Sequence, residues 1–304
     1  MTHSQCPNCG AAVSLADDVI ADQCVFCTSP LVAGTAGSDH ADLVAPFALD
    51  QRAASERLSS YLQGQWLAPG SIRESRSPEK LAGVLVPFWA HDASVRSSWD
   101  AMIGVHWYRT ETYLVTVTRN GRTTTETRTR RVQETEWFPT QGTHATSYTG
   151  HLVSGSKGLP ESEANALEPF DLGSALPYSP ALLAGWTAER ATIPRSSAAS
   201  VAQSELERAT RPRVQRFLPG DVTRALSVQS HIEVRDVRLV MLPVWIATYT
   251  WDDEVHRLLV NGQTGEVVGK VPKAWLKIGG LVVAALLGSL LFVAFLLLMA
   301  GVSQ

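Results

Sequence analysis

Apolar residues recur at helical spacing in two parts of the chain. Behind Asp50, a residue type that favours the N-cap position, four of them share one face, namely Ala54, Leu58, Tyr61 and Leu62. This pattern predicts a helix over residues 50–63. A short helix is predicted from Ser77, because a proline follows in its first turn, and a longer one over residues 197–216.

Alternating apolar and polar positions predict strands, two of which share an unusual order of residues. Residues 85–89 and 241–245 both read apolar, apolar, Pro, apolar, Trp. We interpret the pair as an internal repeat of a small β unit, the alternative being two unrelated strand starts. Because proline cannot donate a hydrogen bond to a neighbouring strand, Pro87 is expected at a sheet edge or a bulge.

Two hairpins are also predicted. Residues 113–119 and 122–132 flank Asn120-Gly121, a strong turn signal, and residues 258–269 close a second hairpin. The first is basic at its tip and return strand, through Arg119, Arg122, Arg128, Arg130 and Arg131. It is either a solvated hairpin or a contact for anionic lipid headgroups or an acidic partner.

The longest apolar pattern is the run from Ile278 to Val302, which contains no charged residue. A helix of this length spans a hydrocarbon core of roughly 30 Å. Lysines at 270, 273 and 277 and Trp275 precede the run, so this flank is expected on the cytoplasmic side. No apolar leader opens the sequence, which predicts a tail-anchored, single-pass protein of the bacterial inner membrane with its N-terminal domains in the cytoplasm.

Small residues within this run predict close helix packing. Gly280, Ala284 and Gly288 are spaced four residues apart, the arrangement that lets two membrane helices approach and that would support a homo-oligomer.

Composition and missing motifs narrow the function. A formal charge of −3 over 304 residues gives no whole-chain case for nucleic-acid binding. We find no phosphate-binding P-loop, no H-E-x-x-H and no G-x-S-x-G, so an enzyme is not expected. His91 and Asp92 are neighbours on a predicted strand and point to opposite faces, which disfavours a shared catalytic site.

The four cysteines fall into two Cys-x-x-Cys pairs near the N-terminus. Cys6, Cys9, Cys24 and Cys27 have the spacing of a tetracysteine zinc ribbon, one residue short between the pairs. Four thiolates close a tetrahedral shell, so one structural Zn²⁺ is predicted. Two disulfides or a redox pair are the alternatives, and a reducing cytoplasm disfavours them.

These signals predict an α+β protein with an antiparallel-sheet-rich body, a few helices and a probable internal β repeat. The domains are a zinc ribbon at 1–32, a flexible linker at 33–45 that leaves the ribbon movable, a cytoplasmic body at 46–272 and a transmembrane anchor at 275–302.

Sequence blocks along nearly the whole chain resemble one family. They are CPNCG, PFALD, GVLVPFW, EWFPTQG, LEPFDLGSALPYSPALLAGWTAER, LVMLPVW and VNGQTGEVVGKVPKAW. They are similar to bacterial membrane proteins with a transcription-factor-IIB-type zinc ribbon, often named primosomal protein N′ or PriA-like helicases. The chain lacks the motor motifs that such a name requires. The resemblance implies a membrane-associated scaffold, in some relatives linked with PspA-type and SPFH-domain proteins of membrane stress.

The expected function is therefore that of a non-enzymatic, tail-anchored adaptor that recruits cytoplasmic or membrane-associated proteins to the bilayer. The alternative is a nucleic-acid-binding ribbon tethered to the membrane. It is disfavoured because the segment between Gly10 and Cys24 holds Asp17, Asp18 and Asp22 but no lysine or arginine. A hydrolase within the body is a third, weaker alternative.

Overall fold

The computed structural model describes residues 2–6, 12–15, 19–24, 27, 29–32, 41–70, 80–119, 122–252, 254–274, 286–290 and 292. Several predictions lie outside these residues: the short helix from Ser77, the Asn120-Gly121 turn, Cys9, and most of the apolar run. Within the described residues no helix is long and apolar enough to span a membrane.

Helices are few and the strands are long. Among the described residues before 286, the helices are α1 (Gln51–Gly64), α2 (Glu161–Leu167), α3 (Pro180–Leu183) and α4 (Arg195–Phe217), with a 3₁₀ turn at Leu172–Ser174; residues 286–290 are also helical. The strands are β1 (Thr2–Gln5), β2 (Ala12–Leu15), β3 (Val19–Gln23), β4 (Pro30–Val32), β5 (Leu43–Val44), β6 (Lys80–Arg119), β7 (Arg122–Ser154), β8 (Leu176–Pro177), β9 (Thr187–Glu189), β10 (Val222–Trp251), β11 (Glu254–Asn261) and β12 (Val267–Gly269). The helices predicted over 50–63 and 197–216 match α1 and α4, and the closing hairpin matches β11 and β12.

Ten of the described strands form one open sheet, in the order β12-β11-β10-β6-β9-β3-β4, with β5 on β10, β8 on β5 and β7 on β6. The sheet is mixed, since two of its pairings are parallel although most of those described are antiparallel, as expected. Strand β5 runs parallel to β10, and β9 runs parallel to β6. Because β5 and β9 are only two and three residues long, neither shows a periodicity that sequence reading could detect.

The two Pro-x-Trp segments make matching contacts with these short strands. In β6, parallel pairing to β9 covers Val84 and Leu85 and ends two residues before Pro87. In β10, parallel pairing to β5 covers Val240 and Met241 and ends two residues before Pro243. Strand β6 has neighbours on both sides, and near Pro87 the pairing with β9 stops before the residue that lacks an N–H.

A glycine contacts each proline in the same way. Gly155 donates its N–H to the carbonyl of Pro87 at 2.8 Å, and Gly262 donates to the carbonyl of Pro243 at 2.8 Å. A Cβ atom on Gly155 would lie 2.9 Å from the Pro87 oxygen, and one on Gly262 would lie 2.8 Å from the Pro243 oxygen. Only glycine permits this approach of the two backbones at either position.

The segments that precede the two long helices complete the match. The carbonyl of Gly155 accepts the N–H groups of Thr192 and Ile193, just before α4. The carbonyl of Gly262 accepts those of Ala48 and Leu49, just before α1.

Both tryptophans contact these same segments. Trp89 Nε1 donates to the Ile193 carbonyl at 2.9 Å, and Trp245 Nε1 donates to the Leu49 carbonyl at 3.1 Å. Strand β6 is thereby hydrogen-bonded to the segment before α4, and strand β10 to the segment before α1.

The chain divides into two compact units. The first comprises residues 1–89, 153–194 and 238–304, and the second comprises residues 90–152 and 195–237. In the first unit α1 packs on β10 and β11 through a buried cluster made of Ala54, Leu58, Leu62, Trp245, Ala247, Leu258 and Val260. The predicted cap is present, because the Asp50 carboxylate accepts the N–H of Ala53 at 2.8 Å.

In the second unit α4 packs on β6, β7 and β10. The buried residues of α4 recur every fourth position, at Ala198, Ala202, Leu206, Thr210 and Val214. Two clusters on the strands receive this stripe, one around Val95 and Tyr148 and the other around Trp99 and Ile103. The Tyr148 hydroxyl lies 2.9 Å from the Thr210 hydroxyl inside this contact.

The predicted linker at 33–45 is described from residue 41 onward, and there it pairs with the sheet. Leu43 and Val44 form β5, between β10 and β8. Val44 and Ala45 are buried, and the Asp42 carboxylate accepts the N–H of Leu239 at 2.7 Å. This end of the segment belongs to the sheet because its backbone groups pair with β10.

Candidate metal centre

Three of the four predicted cysteine ligands meet at one point. Cys6 follows β1, Cys24 follows β3, and Cys27 lies in the turn before β4. Their Sγ atoms all lie within 4.8 Å of one another, and the Cys6 and Cys27 sulfurs are 3.6 Å apart. Cys9 lies outside the described residues. The arrangement can bind a metal ion.

The sulfur geometry fits a tetrahedral thiolate site. With metal–sulfur bonds of about 2.3 Å, two sulfurs of a tetrahedral shell are separated by about 3.8 Å. The 3.6 Å between Cys6 and Cys27 is close to this value. It is far longer than the roughly 2.05 Å of a disulfide bond. The spacing therefore favours metal coordination over the disulfide alternative at this pair.

The site is enclosed. Cys6 and Cys24 are 2 % and 1 % exposed and pack with buried Leu31, and Cys27 is half-buried beside them. Thiolates shielded in this way leave little access for a substrate, which is the character of a structural centre rather than a catalytic one.

Local hydrogen bonds shape the turn between Cys24 and Ser29. The N–H of Cys24 donates to the Ser29 carbonyl at 2.8 Å and closes the turn that carries Cys27. The Ser29 hydroxyl lies 3.3 Å from the Cys27 sulfur. In a metal-bound thiolate state this hydroxyl is placed to donate to the sulfur and to orient it.

Strand β3 joins the cysteine segment to the body. It pairs with β4 on one side and with β9 on the other, where Ala21 faces Ala188. The Thr187 hydroxyl donates to the Asp22 carboxylate at 3.3 Å, and the Gln23 amide donates to the Gly185 carbonyl at 3.3 Å. The segment is thus paired to the sheet, in contrast to the movable ribbon expected from sequence.

Sequence reading missed this attachment. The partner strand β9 has only three residues, Thr187–Glu189, and its sequence carries no alternation. Its one signal is position, since it follows the glycine turn at Gly185, which has φ +89°.

The other residues singled out from sequence do not join the cysteines. His91 is fully buried in β6, whereas the Asp92 carboxylate accepts the N–H of Gly150 at 2.6 Å, consistent with opposite faces of the strand. Of the small residues proposed for helix packing, Gly288 alone is described, within the helical residues 286–290, and no atom lies within 4 Å of its would-be Cβ.

The basic hairpin is exposed, and several of its cations contact acidic or aromatic groups. Arg130 bonds Glu111 at 2.6 Å, and Arg109 bonds Glu134 at 3.0 Å. The hydrogen bond from Arg130 lowers the pKa of Glu111, and the bond to Glu134 raises the pKa of Arg109. The Arg131 guanidinium lies 4.5 Å from the centre of the Tyr108 ring. These contacts agree with a solvated hairpin, although the tip at 120–121 is outside the described residues.

Comparison with known proteins adds one similar sequence. The chain is 24 % identical over 239 residues to the uncharacterized protein YdjG of Bacillus subtilis (strain 168), a match that covers 75 % of this chain and 63 % of YdjG. The matched region thus falls short of two thirds of that relative's length. No protein-family model matches the chain. No solved structure matches it either.

Proposed function

We propose that Cys6, Cys9, Cys24 and Cys27 hold one structural Zn²⁺ that fixes the N-terminal segment. The convergence of three sulfurs within 4.8 Å, two of them buried, is the observation that carries this proposal. Zinc is the metal that an all-thiolate tetrahedral shell of this size and Cys-x-x-Cys spacing favours. Cys9 supplies the fourth sulfur on the strength of its pairing with Cys6 in sequence.

The body beside this centre is best explained as an internal duplication. Each half contains a short parallel strand, a long helix, a Pro-x-Trp strand and a returning strand that ends at a glycine. The matched bonds of Gly155 and Gly262, and of Trp89 and Trp245, support this interpretation. Such a body offers surfaces on which other proteins can dock.

The chain as a whole is proposed to be a non-enzymatic adaptor at the bacterial inner membrane. The run from Ile278 to Val302 is its membrane span, and the lysine flank before it places the ribbon and the body in the cytoplasm. Its partners are cytoplasmic or membrane-associated proteins, and PspA-type and SPFH-domain proteins are the first candidates through the family resemblance. Self-association through Gly280, Ala284 and Gly288 is part of the same proposal.

Affinity capture from detergent-solubilised, nuclease-treated membranes tests the adaptor role. Wild type is compared with the double variant Cys24→Ser/Cys27→Ser, whose segment loses the metal. We expect a defined set of proteins with wild type, and loss of its ribbon-dependent members with the variant. Ser97→Ala/Ser98→Ala, a double change outside the metal centre, is the matched control and retains the whole set.

Two outcomes would argue against this proposal. Capture of nucleic acid in untreated membranes, released by salt and dependent on the cysteines, would favour the tethered nucleic-acid-binding ribbon. Capture of no specific protein by the wild-type chain would remove the basis for an adaptor.

A further inference from the structure

Trp66 lies on a turn that is close in space to the start of the proposed membrane span. The turn, residues 65–70, follows α1. The N–H of Ala274 donates to the carbonyl of Leu67 at 2.8 Å. Ala274 is four residues before Ile278 in sequence. A chain covers at most about 3.6 Å per residue, so Ile278 lies within about 14 Å of Ala274, the residue that is bonded to the turn.

Two backbone hydrogen bonds stabilise the turn at residues 65–70. Gln65 donates its N–H to the Leu62 carbonyl at 3.1 Å, and Ala68 donates to the Gln65 carbonyl at 2.8 Å. Ala68 is 1 % exposed and fixes the turn to the first unit. The position of the neighbouring Trp66 backbone is therefore set by the fold.

The chain leading to the apolar run is also held against the body. The Tyr61 hydroxyl donates to the Gly269 carbonyl at 3.3 Å, and the Tyr249 hydroxyl donates to the Lys270 carbonyl at 3.3 Å. Val271 packs against the cluster beneath α1. Residues 269–274 thus run beside α1 and its turn, so the turn and the exit of the chain lie on the same part of the first unit.

Trp66 is 60 % exposed, although it is one of the largest apolar side chains of the protein. Lys270 and Lys273 are exposed on the neighbouring segment. An indole flanked by lysines is the combination that favours the interfacial layer of a bilayer, where the ring is partly buried and cations meet anionic headgroups. That layer is about 5–8 Å thick on each side of the hydrocarbon core.

We infer that the turn at residues 65–70 contacts the bilayer, with Trp66 inserted among the lipid headgroups. The inference rests on the proposed membrane span at 278–302. It adds a second contact to the single span, because a helix alone leaves the body free to rotate about its tether. With Trp66 in the headgroup layer, the first unit is held in one orientation on the membrane.

Fluorescence quenching by brominated lipid tests the contact. The full chain is reconstituted into phosphatidylcholine–phosphatidylglycerol vesicles, with or without acyl chains brominated near the headgroup. Three variants are compared with wild type: Trp66→Phe, Trp275→Phe and, as a control from the second unit, Trp107→Phe, which removes another exposed tryptophan (48 %). Each keeps an aromatic ring at the changed position.

The expected result is that Trp66→Phe and Trp275→Phe each lower the quenched part of the emission by a similar amount, whereas Trp107→Phe leaves it unchanged. If Trp275→Phe lowers the quenching but Trp66→Phe does not, the Trp66 contact is wrong and the span stands. If neither wild type nor any variant is quenched, the proposed span is wrong and the inference falls with it.

Discussion

At the scale of single residues, the three clustered cysteine sulfurs are the main support for the proposed metal centre. Three cysteine sulfurs meet in one place, and two of them are buried, Cys6 at 2 % and Cys24 at 1 % exposed. A metal ion bound by these sulfurs would link β1, β3 and the turn before β4. The centre should therefore contribute to the folding of the N-terminal segment as well as to its shape.

Removing one ligand should release the metal. We expect Cys24→Ser to lower the zinc content of the purified chain from one ion to well below one, because a hydroxyl is a poor ligand where a buried thiolate is required. Metal analysis by mass spectrometry measures this. Zinc content unchanged in Cys24→Ser would place the metal elsewhere.

A milder change at the same centre should lower its affinity for the metal without removing the ion. Ser29→Ala removes the hydroxyl that lies 3.3 Å from the Cys27 sulfur. We expect one ion per chain but an affinity lower by about 10-fold or more, as for other groups that orient metal ligands. Competition with a chromogenic chelator measures the affinity, and an unchanged value would show that Ser29 does not orient Cys27.

The ion pairs of the hairpin give a prediction on pH. Arg130 lowers the pKa of Glu111 from its ordinary value of 4.5. The stabilisation by this pair is complete above the unfolded pKa and is lost as pH falls through the lower, folded pKa. We expect Arg130→Gln to raise the pKa of Glu111 toward 4.5, while Arg128→Gln, which removes the partner of Glu126, does so far less. NMR titration of labelled glutamate carboxyls distinguishes the two.

At the scale of elements, the matched glycine contacts are the main finding. In both halves a glycine N–H bonds the carbonyl of the proline in the Pro-x-Trp strand, and the glycine carbonyl bonds the segment before a long helix. At these two equivalent places, which we call the glycine crossings, the backbone of Gly155 or Gly262 bonds both a strand and the segment before a helix.

Adding a methyl group at either crossing should be destabilising by a similar amount. Gly155→Ala and Gly262→Ala each place a Cβ under 3.0 Å from a proline carbonyl. We expect each to lower the free energy of unfolding by about 1–3 kcal/mol, since backbone must move to relieve the contact. Urea denaturation measures this loss.

Gly64→Ala is the matched control for both glycines. It lies at the end of α1 with no atom within 4 Å of the added methyl group. Its effect should be within about 1 kcal/mol and of either sign. If all three glycine variants unfold at the same urea concentration as wild type, the two crossings do not have the role described.

Replacing either tryptophan of the two Pro-x-Trp strands should also lower the free energy of unfolding by a similar amount. Trp89→Phe and Trp245→Phe each leave a carbonyl without its donor, that of Ile193 or of Leu49. We expect losses of about 1–3 kcal/mol in each, measured in the same way. Strongly unequal losses would contradict equivalent roles for the two strands.

These elements also show how far sequence reading reaches. The N-cap at Asp50, the face of α1 and the span of α4 follow from short-range patterns, and all are present. The Pro-x-Trp similarity was visible because proline and tryptophan are rare. The parallel strands β5 and β9 were not predictable, because they are two and three residues long and their pairing depends on partners far away in sequence.

At the scale of the whole molecule, sequence patterns predict the candidate metal ligands of the N-terminal segment but not the place where this segment attaches to the sheet. The Cys-x-x-Cys spacing predicts four candidate ligands, and the structure brings together three of them, Cys6, Cys24 and Cys27. The spacing does not reveal where the segment attaches, since β3 pairs with a strand more than 160 residues away.

The proposed membrane span joins the observations into one account. With it, the turn at Trp66 lies beside the bilayer, and the proposed adaptor would bring its partners to that surface. Without it, the exposed lysines and Trp66 near residue 274 have no common explanation.

The most direct measurement is therefore alkaline carbonate extraction of bacterial membranes that carry either the full chain or a chain that stops at Ala274. The treatment strips proteins held only by surface contacts such as Trp66 and leaves proteins that span the bilayer. The account predicts that the full chain stays in the membrane pellet and the shortened chain is found in the extract. A full chain released into the extract, or a shortened chain retained in the pellet, would contradict it.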